Sequence, residues 1–296
     1  MEFIEKGQNI NVIEPINANV SQSSLPLTVY EPSRGWLSLR LHELWEYREL
    51  LVFLTWRDIK VRYAQAALGA TWAILQPLLT MVIFSVIFGQ LAQLPSDGIP
   101  YPVFSYVALL PWQLFAGALQ RAGTSLVGNS NLLTKVYFPR LVIPLSAVAA
   151  GLVDFALSFV VLLGLMLFYH IKPTLAIFAL PFLILLALLT ALAVGMWLSA
   201  LNVKYRDVQH AIPFLVQAWM YASPVAYSIG LIPDGKWRIL YGLNPMAGVI
   251  QGFRWALLGA APPNGLMIIS VLIVALLLLS GLYYFKRMEK TFADVV

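Results

Sequence analysis

Few residues in this 296-residue chain could take part in chemistry, and their spacing narrows what that chemistry is. The three histidines, His42, His170 and His210, lie far apart and form no HExxH pattern. No GxSxG elbow occurs, and the long apolar runs contain no pair of carboxylates for acid–base work. The phosphate loop GxxxxGK followed by Ser or Thr is missing; the Gly235-Lys236 pair follows Pro233-Asp234 and has no such frame. With no cysteine, disulfides and thiolate metal sites are excluded, and no metal site is expected. The chain is therefore not expected to hydrolyse nucleotide.

What remains is a short set of polar and aromatic residues in apolar surroundings. Arg121 and Asp154 are the two ionisable residues inside the long apolar runs. They either pair or cap backbone between helices, or Asp154 serves ion coupling, for which a single carboxylate is thin support. In the segment Asn131-Leu132-Leu133-Thr134-Lys135-Val136-Tyr137-Phe138-Pro139-Arg140, Tyr137 and Phe138 sit beside Lys135 and Arg140. Aromatics that fill a partner's pocket, flanked by charges that orient it, would make a docking peg; a surface loop whose aromatics dip into lipid has the same composition. Trp72, Phe84, Phe88, Trp112, Phe115, Trp219, Tyr221 and Tyr227 lie well inside apolar runs. Such rings can stack on sugar faces along a channel, or simply pack.

The elements that position these residues follow from composition. The chain is 60% hydrophobic and only 11% charged, with a mean hydropathy of +0.78, where a water-soluble domain carries about a quarter charged residues. The net charge of +5 comes from basic residues spread along the chain, so no nucleic-acid footprint is expected. The fold class is all-α integral membrane, with six transmembrane helices at about 68–94, 103–127, 141–169, 174–201, 211–232 and 266–285 within a domain spanning 64–286. Residues 1–35 read as a flexible tail and 287–296 as a C-terminal tail. Residues 36–63 form an amphipathic interface helix, with Leu37, Leu41, Leu44, Leu51 and Val52 on one face and Glu43, Glu46 and Glu49 opposite.

Basic residues set the orientation. Arg57, Lys60 and Arg62, then Lys135 and Arg140, then Lys204 and Arg206, then Lys286, Arg287 and Lys290 all fall in alternate connections. By the inside excess of positive charge, those connections and both termini are cytoplasmic. Residues 233–262 carry a further apolar stretch that a seventh crossing would explain, but that would put Lys286, Arg287 and Lys290 outside. Arg254 lies in its middle, and Asn244-Pro245 is a good helix start. Two short re-entrant helices fit, as does a hairpin lying flat on the outer surface.

Trp56-Arg57-Asp58-Ile59-Lys60-Val61-Arg62-Tyr63 leads into Leu68-Gly69-Ala70-Thr71-Trp72-Ala73-Ile74-Leu75-Gln76-Pro77. With Phe138-Pro139-Arg140, Asn202-Val203-Lys204-Tyr205-Arg206-Asp207, Leu243-Asn244-Pro245-Met246 and Gly252-Phe253-Arg254-Trp255, the chain resembles the permease subunit of bacterial type-two ATP-binding-cassette polysaccharide exporters, which handle O-antigen, capsule and teichoic-acid polymers. The resemblance implies an inner-membrane homodimer with one ATPase subunit under each half, moving lipid-linked polysaccharide. ATP and Mg would be held by the ATPase, with no cofactor in this chain. It implies that 131–140 is the coupling helix, through Asn131, Leu133, Lys135, Tyr137, Phe138 and Arg140. The interface helix would touch the ATPase as well. It further implies that 233–262 forms a periplasmic gate carrying Asn244, Pro245 and Arg254, and that the first and fifth spans line a channel between protomers. A permease for a small hydrophobic drug or lipid is the alternative. A membrane-embedded transferase would need an acidic or histidine site, for which Asp97 alone is poor material.

Overall fold

The computed structural model describes residues 41–64, 69–233, 235–289 and 292. The expected N-terminal tail, residues 36–40 of the expected interface helix and Lys290 lie outside the described residues. The helices are α1 (Leu41–Glu46), α2 (Arg48–Ala64), α3 (Gly69–Phe84), α4 (Tyr101–Gly128), α5 (Ser130–Lys135), α6 (Val142–Ala149), α7 (Gly151–Phe168), α8 (Leu180–Lys204), α9 (Val208–Tyr221), α10 (Lys236–Gly242), α11 (Pro245–Leu258) and α12 (Asn264–Glu289). α3 runs on as a π-helical stretch over Ser85–Leu91, and a 3₁₀ turn over Leu175–Ala179 leads into α8. Among the described residues there is no strand.

Among the described residues, five segments are long and apolar enough to cross a bilayer: Thr71–Leu91, Tyr101–Gly128, Val142–Phe168, Leu175–Lys204 and Gly265–Glu289. The chain is thus an all-α, multi-pass membrane protein. The fifth apolar run, expected as one helix over 211–232, is instead divided. Its helix α9 has 14 residues, about 21 Å at helical rise, and the chain then turns irregularly to a 3₁₀ turn at Ile229–Leu231. The cause is local. Pro224 offers no N–H to the preceding turn, its ring would clash with the carbonyl of Met220, and it pushes Ser223 out of the helical region.

α4 is the axis of the bundle. It is buried along most of its length, as a surrounded helix is, and it packs against α3, α6, α7, α8, α9 and α11. Small residues set the closest approaches. A Cβ on Gly195 of α8 would fall 2.6 Å from the Cβ of Ala122 on α4, and one on Gly281 of α12 would fall 2.6 Å from the carbonyl oxygen of Ala193 on α8. Where α8 and α12 meet lower down, Trp197 stacks on Tyr284 with centroids 4.3 Å apart. Close backbone approach of this kind is how helices associate in lipid, where hydrophobic burial gives no net drive.

The interface helix carries apolar residues on more than one face, as the widening of its stripe by Leu50, Phe53 and Leu54 suggests. α2 packs along α6 and buries Leu54, while Val52, Phe53, Trp56 and Val61 form an outer apolar face. Its apolar residues therefore serve two surfaces.

Gly195→Leu should lower thermal stability of the purified protein by about 1–3 kcal/mol through overpacking against Ala122. Gly164→Leu, with nothing within 4 Å of its added Cβ, should leave the melting curve in detergent unchanged.

Candidate functional site

The expected docking segment is a compact turn between the ends of α4 and α6. Asn129 joins α4 to α5, but its side chain does not cap α5; it donates to the carbonyl of Ser125 at 2.8 Å and accepts from Arg57 of α2 at 2.8 Å. After α5 the backbone extends at Val136. Asn131, Lys135, Val136 and Tyr137 are exposed, whereas Leu133 and Phe138 are buried in the chain's own core. Phe138, expected as an external anchor, is only 4% exposed and so cannot fill a partner's pocket. Its apolar ring follows the general preference for burial where neighbouring helices leave room. Arg140 likewise turns back: its guanidinium donates to the carbonyl of Glu289 at the end of α12, and its backbone N–H lies 3.4 Å from the Glu289 carboxylate. The outward face of the segment is therefore carried by Asn131, Lys135 and Tyr137, rooted by Leu133, Phe138 and Arg140.

The loop after α8 lies at the same end of the bundle. Lys204, Tyr205, Arg206 and Asp207 are exposed, with the Lys204 ammonium 5.0 Å from the Tyr205 ring centre.

Deeper at this end, Asp154 of α7 gathers three donors. Arg62 and Tyr63, from the last turn of α2, both bond its carboxylate, and Arg121 of α4 lies 3.5 Å away. Arg121 also donates to the carbonyl of Ala147 at 3.2 Å. It fits because Gly151 and Gly117 leave it space: a Cβ on them would meet its guanidinium at 2.3 and 3.0 Å. Burial and the bond to Asp154 push the Tyr63 phenol up to about 12, so it remains a proton donor to the carboxylate. Pairing of Asp154 with Arg121 was legible from their types; the contribution of α2 was not, because Arg62 reads from sequence as a topological charge.

At the opposite end, the divided fifth run is held by two residues of the expected gate. Asn244 accepts from Trp219 Nε1 (2.9 Å) and Met246 N (3.1 Å), and donates to Ala222 O (3.0 Å) and Ser223 Oγ (2.9 Å), so its amide is fully used. Pro245 starts α11 beside it and is buried. Arg254 is 1% exposed; it donates to the carbonyls of Val225 and Tyr227, each at 3.0 Å, and lies 3.7 Å over the Phe104 ring. These bonds satisfy two carbonyls of the irregular segment that follows Pro224. Asp97, in the α3–α4 turn, takes a 2.7 Å bond from Ser228 of the same segment.

The eight candidate channel aromatics separate. Phe84, Trp112 and Phe115 are buried, and Trp112, Phe115 and Trp219 make one cluster with centroids 5.3 and 4.9 Å apart. Phe84 meets Phe88 edge-on at 5.2 Å, and Tyr227 hydroxyl meets that of Tyr241 at 2.7 Å. Phe88, Trp219 and Tyr227 are half-buried, and only Trp72 and Tyr221 are widely exposed on the protomer. The buried rings fill the space around α4 and do not present a surface. Further exposed residues, not singled out from sequence, lie with Tyr221 on α9: His210, Phe214 and Gln217 recur at helical spacing on one face, and Gln217 donates to the Tyr221 hydroxyl at 3.1 Å.

Residues 49–258, from the first turn of α2 to the end of α11, match the family model described as ABC-2 type transporter. The chain belongs to this family. An ABC-2 membrane domain is a transport subunit, in keeping with the absence of catalytic motifs noted from the sequence. The chain is 33% identical over 260 residues to the O-antigen export system permease protein RfbA of Myxococcus xanthus, covering 86% of this chain and 98% of that protein. It is 29% identical over 257 residues to the protein of the same name from Klebsiella pneumoniae, covering 84% and 95%. The polysialic acid transport protein KpsM of Escherichia coli is 25% identical over 210 residues, 68% of this chain and 78% of KpsM. The family match includes every residue of the turn at 129–140, of the Asp154 cluster and of the Arg254 clamp.

Arg254→Met removes both donors to buried carbonyls in this ABC-2 domain and should cost about 3–5 kcal/mol. Hydrogen exchange should then rise in 222–228 ahead of global unfolding, and Arg254→Lys, with one compact ammonium, should recover only part of the protection.

Proposed function

We propose that the chain is the permease subunit of an ATP-driven exporter that moves lipid-linked, O-antigen-like polysaccharide across the inner membrane. The observation that carries this reading is the identity with O-antigen export permeases over nearly their whole length. It favours polysaccharide over a small hydrophobic drug or lipid as cargo. ATP and Mg belong to a separate ATP-binding-cassette subunit, one under each protomer, and this chain needs no cofactor of its own. It works as a homodimer. The exposed faces of α3 and α9, which leave Trp72, Gln76, Phe214, Gln217 and Tyr221 without cover in one protomer, suit a seam between two copies in which sugars pass. Polar side chains there would be costly against lipid, and the aromatic faces beside them are useful against a glycan.

In this reading the divided fifth run completes a sixth crossing, with α9 continued by 222–232. The helices α10 and α11 then dip into the outer leaflet and return. Burial of Arg254 against Phe104 and two carbonyls supports this, since backbone at membrane depth must be satisfied within protein. Both termini are cytoplasmic, as the basic residues at one end of the bundle suggest.

Mechanically, closure of the ATPase pair presses on the outward face of 131–137. The force enters a short lever whose root is packed, not hinged: Leu133 and Phe138 are buried, and Arg140 is bonded to the end of α12. Displacement therefore passes to α4, α6 and α12 together. The lipid anchor of the glycan travels at the seam while the polymer slides over aromatic faces, which hold sugars through many weak contacts.

In cells lacking the wild-type gene, Tyr137→Asp should fail to restore surface glycan, with a loss of at least fivefold, while the purified variant keeps its melting temperature. Phe138→Ala should behave differently and lose about 3–5 kcal/mol of stability, as a buried aromatic does. Full surface glycan with Tyr137→Asp would refute the assignment of 131–137 as the docking face.

A further inference from the structure

The interface helix is fastened to the bundle at two points five residues apart. At the first, Arg57 bonds Asn129, the residue joining α4 to the outward-facing α5. At the second, Arg62 and Tyr63 bond Asp154 on α7, which Arg121 of α4 also approaches. One turn before the first point Leu54 is buried, and α2 lies along α6. Three separate helices, α2, α4 and α7, thus meet on one carboxylate.

The charges at that point are unequal: two guanidiniums and a neutral phenol surround one carboxylate. Removing the carboxylate's charge leaves Arg62 and Arg121 facing each other with nothing between them. Arg121 has little room to withdraw, being packed against Gly117 and Gly151 and bonded to Ala147. Arg62, at the last turn of α2, is the side that would swing away. The geometry points to a clasp: we propose that Asp154 locks α2 to α4 and α7 so that the three move as one lever. Motion received on α2 then reaches the spans directly, as a second route beside the 131–140 turn. The inference rests on the reading of the chain as a permease driven by a separate ATPase. Asp154 acts here as a positioning residue and touches no cargo.

The absence of cysteine allows a clean distance measurement. Spin labels are placed at Lys60→Cys on α2 and Leu163→Cys on α7, both exposed, in the permease assembled with its ATPase subunit in nanodiscs. With Asp154 present, the distance should be narrow and unchanged between the nucleotide-free and ATP–vanadate states. In Asp154→Asn it should broaden, surface glycan should fall at least fivefold in cells, and ATP hydrolysis should stay within twofold. Asp154→Glu should restore most export, which a loss of bulk packing would not explain. Arg62→Gln combined with Tyr63→Phe severs only the α2 side and leaves Arg121 on Asp154, sparing the bundle; it should broaden the distance in the same way. A narrow distance in both severed variants, or one that shifts with nucleotide while Asp154 is intact, overturns the clasp. The distance needs no export, so a chain that shows the broadening but moves no glycan even with Asp154 present would count against the permease reading alone.

Discussion

A formal charge inside an apolar bundle has to be matched, because the bilayer and the packed core offer it no water. Two such charges, Arg254 and Asp154, organise opposite ends of this protein. Arg254 is matched by two main-chain carbonyls and a ring face, and Asp154 by side chains from two other helices. Both act around α4, whose apolar faces touch most of the other long helices. The consequence is a division of labour: apolar packing gives the bundle its cohesion, and the two charged groups decide which helices are joined at each end.

This division bears on motion. Apolar contacts between helices are non-directional and tolerate sliding, whereas a charge-assisted bond holds a particular geometry. The end carrying the outward-facing α5 is where the interface helix, α4, α7 and α12 are linked by Arg57, Asp154 and Arg140. The opposite end is where the fifth apolar run is unwound and its carbonyls are held by Asn244 and Arg254. A force applied at the first end therefore meets a connected frame, and the second end contains an irregular segment whose shape depends on few bonds.

Much of the architecture was legible in the sequence because apolar run length is a direct physical requirement of the bilayer. Five of the six expected runs are helices long enough to cross. The fifth run was legible as apolar but not as divided, since hydropathy is blind to Pro224, which leaves 211–232 apolar while breaking its helix. In the 131–140 segment the sequence did not separate the residues that face out from those that face in: Tyr137 and Phe138 are adjacent aromatics, yet the first is exposed and the second buried. The partners of Asp154 were half legible. Arg121 lies in a span and invites pairing, while Arg62 and Tyr63 reach Asp154 across about ninety residues of chain, a contact that helix packing creates and local pattern does not. The channel aromatics were least legible, since a ring at a given depth can face α4 or the outside, and periodicity in an all-apolar helix does not say which.

The central claim is that this chain moves cargo only when a separate ATPase does work on it. The direct measurement is reconstitution in sealed vesicles with fluorescent lipid-linked glycan and ATP, comparing the chain alone with the chain plus its ATP-binding-cassette subunit. The account predicts no ATP hydrolysis and no glycan transfer by the chain alone, and both activities together once the second subunit is added. Sustained hydrolysis or transfer by the chain alone would contradict it.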